Sequence, residues 1–212
     1  MQDVISALPT QVHTAQSILD AAEFLFQRQG YHGTSMRQLA RFAGVTPAAI
    51  YNHYPSKEDI FVALLRARLP HRALALAVQQ AEGDDAEELL RDGIRRMRGA
   101  LEDRFDSLRL GFIEVLEFEG RHLPLVLPEI LTPAISFLER LRASDPRLQA
   151  WSPFFLLRVI GGAFAALAIS ASYLRGIEGM AGTLEEFDDL AAVLAAGLLR
   201  APSRAGQTEV PG

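Results

Sequence analysis

The sequence predicts an all-α protein with a small N-terminal three-helix head of the helix-turn-helix type and a larger helical body, about nine or ten helices in total. Three observations lead there. Between Gly30 and Lys57 two short helical segments flank a glycine turn, and each opens on a capping residue. Downstream, apolar residues recur at the i, i+3, i+4, i+7 spacing of helices rather than alternating. No segment reads convincingly as a strand, and no internal repeat is visible. The expected layout is a disordered arm at residues 1–11, a head at 12–60, a helical body at 61–200 and a disordered tail at 201–212.

The head is justified helix by helix. Ile18-Leu19-Asp20-Ala21-Ala22-Glu23-Phe24-Leu25-Phe26 is an amphipathic first helix that closes at Gly30-Tyr31. Ser35 with Gln38 three residues later can form a capping box, which predicts a second helix from about Met36 to Phe42. Met36, Leu39, Ala40 and Ala43 make its buried stripe and leave Arg37 and Arg41 outside. Gly44 supplies a permissive backbone for a tight turn. Thr46 is then an N-cap with Pro47 at the first helical position, where a missing N–H costs nothing. Pro55 disfavours helical geometry at Tyr54, so this third helix is about two turns long. Ser56 opens a fourth, with Glu58 and Asp59 in the first turn, where the helix dipole favours negative charge.

The body follows the same grammar. Pro70 predicts a kink or break in helix four, because its ring would clash with the carbonyl of Arg66. Gly83-Asp84-Asp85 marks a turn, after which Leu90, Ile94, Met97 and Leu101 form one helical face and Leu108, Phe112, Val115 and Leu116 another. Pro124, Pro128 and Pro133 are expected to cut the next region into short pieces, the last running from about Pro133 to Arg142, with a linker from Ser144 to Ala150. Ser152-Pro153 caps a long apolar helix through about Leu174. At roughly 22 residues this run has membrane-spanning length. Arg158 interrupts it, however, and Gly161, Gly162, Ala163 and further small residues suit close helix contact, so a buried helix and no membrane are expected. Thr183 and Glu186 form a second capping box before a last helix striped by Phe187, Leu190, Ala191, Leu194 and Leu198.

The first third of the chain resembles the DNA-binding head of the tetracycline-repressor (TetR) family of bacterial transcription regulators. The resemblance is carried by Gly30-Tyr31, Thr34-Ser35, Leu39-Ala40, Ala43-Gly44-Val45, the capped short helix, Tyr51, Tyr54-Pro55 and Ser56-Lys57-Glu58, in that order and spacing. Tyr54 departs from the family's more frequent Phe. By position, the resemblance implies that Thr34, Ser35, Arg37, Thr46, Pro47, Ala48, Ala49, Tyr51, Asn52, His53, Tyr54 and Lys57 form the DNA-binding set. Thr46, Pro47, Ala48, Ala49 and Asn52 would face the major groove, the small residues meeting thymine methyls. Discrimination between bases would then fall to Arg37, Asn52 and DNA shape. Tyr51, His53 and Lys57 would bind phosphates and set register, although Tyr51 could instead be a core aromatic. Lys57 is the only lysine, beside twenty arginines. Its charge opposes the dipole at the start of helix four, which favours a phosphate partner over a local stabilising role.

For the body, the resemblance implies a ligand-binding and dimerisation domain, with the last two helices pairing across a homodimer. A near-palindromic operator of double-stranded DNA and an unidentified small-molecule effector are the other implied partners, and release from the operator would be repressor behaviour. Phe105, Phe112, Glu114, Glu117, Trp151, Phe155 and Arg158 are the candidate effector residues, although aromatics at helical spacing also serve as plain core. Arg158, in an apolar helix, calls for a partner, which is either an acidic ligand or a structural glutamate such as Glu114 or Glu117.

Composition sets the remaining bounds. The absence of cysteine rules out disulfides and thiolate metal sites, and the five histidines show no metal-ligand spacing. No nucleophile elbow, P-loop or His-Glu-x-x-His is present, so neither catalysis, a cofactor nor a metal is expected. The net charge of −5 divides unevenly: residues 1–72 carry seven Lys and Arg against five Asp and Glu, residues 73–212 fourteen against twenty-one. A basic head can work beside an acidic body because ordinary salt screens each field within about 10 Å. No apolar signal segment opens the chain, so a cytoplasmic location is expected, at the nucleoid when bound to DNA. The competing reading is a helical adaptor, or a membrane-associated interaction protein, that does not read DNA sequence.

Overall fold

The computed structural model describes the backbone of residues 7–102, 104, 107–174 and 185–200, and side chains from residue 14 onward except near the gaps. All regular structure among these residues is helical. The chain forms two compact units, one of residues 1–69 with 107–125 and one of residues 70–106 with 126–212.

The first unit contains α1 (Ala7–Gln29), α2 (Met36–Phe42), α3 (Pro47–His53), α4 (Lys57–Arg68) and α7 (Leu108–Phe118). Helix α1 starts at Ala7, inside the arm expected at residues 1–11. Its stripe of Ile18, Ala22, Leu25 and Phe26 meets Leu39 of α2, Ile50 of α3 and Ile60, Phe61 and Leu64 of α4 in a single core. Leu110 and Phe118 complete that core. The head expected to end at residue 60 therefore extends through α4 and takes in α7 from far along the chain.

The face expected on α7 is corrected. Val115 and Leu116 are 54% and 77% exposed, whereas Leu110, Glu114 and Phe118 point inward. The helix carries apolar residues on most sides, so periodicity alone could not choose, and the choice falls on the side where Phe118 joins the aromatic core.

The second unit contains α5 (His71–Gln79), α6 (Ala86–Leu101), α8 (Leu127–Ser144), α9 (Pro153–Leu156), α10 (Gly162–Leu174) and α11 (Glu185–Arg200). The break at Pro70 is as expected: Leu69, forced out of helical geometry by the following proline, is extended at φ −60° and ψ 126°. The Leu90, Ile94, Met97, Leu101 stripe of α6 is buried. So are Phe187, Ala191, Leu194 and Leu198 of α11, with Phe187 5.3 Å from Phe164 of α10. Thr183, and with it the second capping box, lies outside the described residues.

The proline-rich region is a second correction. Helix α8 runs unbroken from Leu127, with Pro128 in its first turn and Pro133 inside it. Pro133 removes a single bond in the second turn, and the helix is carried through by packing of its apolar face, with Phe137, Leu138 and Leu141 buried beside α5 and α6. The expected linker is a short 3-10 turn, Pro146–Ala150, tied by the Asp145 side chain accepting from the Arg147 N–H at 2.8 Å. The long apolar run is one helical course with a π turn, Leu157–Gly161, between α9 and α10. By length and composition it is the one stretch among the described residues able to cross a membrane, and little of it is buried within the single chain.

Candidate nucleic-acid interface

Local signals build the two short helices. Ser35 and Gln38 close the capping box: the Gln38 N–H donates to Ser35 Oγ at 3.3 Å, and the Ser35 N–H donates to Gln38 Oε1 at 2.8 Å. Gly44 turns the chain at φ +70°, a conformation that strains any residue with a Cβ, and the Val45 N–H returns to the Ala40 carbonyl at 2.9 Å. Thr46 Oγ1 then accepts the Ala49 N–H at 3.1 Å, with Pro47 leading α3. Tyr54, before Pro55, ends α3 in extended geometry.

The resulting surface has the intended residues on the outside. Ile50 is the buried anchor of α3, while Thr46, Pro47, Ala48, Tyr51 and Asn52 are exposed and Ala49, His53 and Tyr54 partly so. Ser35, Arg37 and Arg41 are exposed on or beside α2. Tyr51 is 53% exposed, which removes the core-aromatic alternative within this chain. Burial raises the Tyr54 phenol above its ordinary range, so it stays protonated.

Two residues of the expected DNA-binding set face inward. Thr34 is 2% exposed; its hydroxyl donates to the Gly30 carbonyl at 2.9 Å and accepts from Gln29 at 3.2 Å, so it ties the end of α1 to the following turn. Lys57 does have a local role, contrary to the dipole argument. Its Nζ donates to the carbonyls of Tyr31 at 2.7 Å and Thr34 at 2.6 Å and lies 4.1 Å from the Tyr31 ring centroid. These two carbonyl oxygens and the ring face are the partners that hold the ammonium at the start of α4.

A polar network absent from the sequence reading adjoins the head. Glu114 of α7 is fully buried, and its carboxylate accepts the His122 backbone N–H at 2.6 Å and faces His122 Nδ1 at 2.8 Å. His122 Nε2 faces Glu58 of α4 at 3.0 Å. The chain reverses to make this possible through Glu119 and Gly120, both left-handed at φ 56° and 77°. Phe118 stacks on Phe61 at 4.7 Å and meets Tyr31 at 4.6 Å.

Comparison with known proteins agrees with this head. Residues 18–64 match the family model described as bacterial regulatory proteins, tetR family. The chain is 33% identical over 106 residues, 50% of its own length and 54% of the relative's, to an uncharacterized HTH-type transcriptional regulator, YvkB, of Bacillus subtilis. It is 34% identical over 101 residues, 47% of each chain, to the HTH-type transcriptional repressor AcnR of Corynebacterium efficiens. The chain thus spans about half the length of the curated relatives it matches. The whole fold is similar to the regulator FadR of Bacillus subtilis, solved in complex with stearoyl-CoA, with a TM-score of 0.66 over 86% of this chain and 98% of that one at 18% identity. Residues 18–64 thus form a head of the tetR-family type.

The candidate effector residues divide between the two units. Phe105 lies outside the described residues. Phe112, Glu114 and Glu117 fall in the first unit, where Glu114 is occupied by His122 and Glu117 faces His32 at 3.2 Å. Trp151, Phe155 and Arg158 fall in the second, with Trp151 stacked on Phe155 at 4.8 Å. Arg158 is exposed on the π turn, so the burial that called for a partner is not met within the single chain. Two open clefts of this unit, about 420 Å³ beside Asp92 and about 360 Å³ between α6 and α11, are lined by none of these three.

Proposed function

We propose that this chain is a ligand-responsive transcription regulator that binds a near-palindromic operator as a homodimer and acts as a repressor. The observation that carries the reading is the outer face of α3, whose short exposed side chains stand on a helix capped at its start and stopped by proline at its end. Such a face can enter the major groove closely, with Ala48 and Ala49 against thymine methyls and Asn52 and Arg37 toward base edges. Tyr51 and His53 are assigned to phosphates.

The homodimer is assigned to α10 and α11 and the apolar run preceding α10. Phe154 and Val193 are 65% and 68% exposed in the single chain, and a second copy would cover such a surface as a membrane would not, given Arg158 within the run. Two heads on a two-fold axis read half-sites spaced by whole turns of DNA. An effector bound in the second unit, with Trp151, Phe155 and Arg158 as its assigned contacts, would release the operator by favouring the other head spacing. The location that goes with this role is the cytoplasm.

The test is fluorescence anisotropy of the full chain on a duplex it selects from a random-sequence pool, against a shuffled duplex of equal length, across a salt series. Selective binding that weakens steeply with salt supports the regulator. Equal weak binding to both duplexes, with association to lipid vesicles, would favour the adaptor reading instead.

A further inference from the structure

We propose that Lys57 serves DNA recognition as a positioning residue that clamps the α1–α2 turn, and not as a phosphate contact; this rests on the DNA-binding reading above. An ammonium has three donors, and two are spent on the Tyr31 and Thr34 carbonyls at 2.7 and 2.6 Å. Thr34 immediately precedes Ser35, the N-cap of α2. Fixing the Thr34 carbonyl therefore fixes the entry of α2 and with it the direction in which Ser35 and Arg37 leave the head.

The other half of the clamp is equally constrained. The Tyr31 carbonyl also accepts the Thr34 N–H at 3.1 Å, and the Tyr31 ring, beneath the ammonium, is held by Phe26, Phe61 and Phe118 at 4.6 to 5.6 Å. Moving Lys57 to a phosphate would strip these acceptors and uncover the ring. Burial lowers the Lys57 ammonium below its ordinary range, with Glu117 pulling the other way, so the position is not one that stabilises the charge for its own sake. Side-chain type points the same way. This chain uses Lys at position 57 and arginine at its other Lys/Arg positions, and the compact ammonium sits between the two carbonyls as a point donor.

Because Lys57 is the only lysine, labelling the full chain with ¹³C,¹⁵N-lysine gives a single side-chain signal. We expect ε-methylene protons shifted from the free-lysine position, with nuclear Overhauser contacts to the Tyr31 ring; an unshifted signal without those contacts overturns the clamp. The second arm uses Lys57→Met and Lys57→Arg on a duplex selected by the wild-type chain, at a temperature where circular dichroism shows every variant folded. A positioning role predicts affinity reduced on the order of tenfold in both, with the slope of log K against log salt unchanged. A slope smaller by about 0.9 per head, about 1.8 for the dimer, in Lys57→Met, with Lys57→Arg like wild type, would assign a phosphate contact and overturn the proposal. Unchanged affinity in both variants would overturn it as well. Should the wild-type chain select no DNA, the regulator reading falls, and the lysine spectrum by itself upholds or overturns the clamp.

Discussion

Helices α3 and α7 belong to the same compact unit and are built by opposite means. Helix α3 has one buried anchor, Ile50, and owes its ends to Thr46, Pro47 and Pro55. Helix α7 has no side-chain capping bond to its first turn, carries apolar residues nearly all round, and takes its orientation from distant partners: Phe61 and Tyr31 for Phe118, and His122, itself facing Glu58, for Glu114. A helix made by caps can be short and leave most of its surface free for a partner. A helix made by tertiary contacts cannot be read without them.

The comparison breaks most visibly at Glu114. Replacing it by alanine leaves the His122 N–H and ring without their buried acceptor, and leaving buried donors unsatisfied costs about 1–3 kcal/mol each. Urea unfolding of Glu114→Ala at fixed protein concentration should show that loss, since concentration alone shifts the stability of an oligomer. A loss near zero would mean that Phe118 alone seats α7.

Asp92 of the second unit sharpens the point, because it is a carboxylate on an inward helix face answered by arginines rather than histidine. Burial alone would raise its carboxyl; hydrogen bonds from Arg96 at 2.5 Å, the Glu82 N–H at 2.8 Å and Arg95 outweigh it and hold it below the ordinary value. A depressed folded-state value means stability that is complete above the unfolded carboxyl range and lost as pH falls below about 4. Acid titration of thermal stability should therefore fall less steeply below pH 4 in Asp92→Asn than in the wild type; identical slopes would remove Asp92 from the acid response.

What was legible in the sequence follows the same division. The α2 and α3 boundaries, the Gly44 turn and the break at Pro70 rest on caps, glycine and proline, whose effects act within four residues. The inward face of α7, the continuity of α8 through Pro133 and the addition of residues 107–125 to the head rest on contacts between segments far apart in the chain. Among the site residues, Arg37, Ala48 and Asn52 lie outside as helix geometry dictates. Thr34 and Lys57 could not be placed, because a hydroxyl or ammonium serves a phosphate or a backbone carbonyl equally well and only the fold brings the carbonyls near.

A cap is worth less than a buried network, so the α3 side of the comparison yields a smaller effect. Thr46→Ala removes the acceptor of the Ala49 N–H and should cost about 1 kcal/mol in urea unfolding. It should also lower DNA affinity, because fraying begins at the end of α3 assigned to the groove. An affinity loss without any loss of stability would instead assign the Thr46 hydroxyl to direct contact with DNA.

The smallest effect has the opposite sign and lies at the end of α7. Glu119 occupies the left-handed region at φ 56°, where a side chain costs about 1–2 kcal/mol, and the next residue, Gly120, occupies it without that cost. The strain is held in place because the reversal delivers the His122 N–H and ring to Glu114. Glu119→Gly keeps the reversal and removes the strain, offset by the greater chain freedom that glycine gives the unfolded state. A net gain of up to about 1 kcal/mol is expected in the wild-type background. In Glu114→Ala, where the reversal no longer has a carboxylate to reach, the gain should shrink as α7 finds other endings. Equal gains in both backgrounds would show that the turn is fixed by local geometry, and that the end of α7, unlike its face, belongs with the cap-built helices.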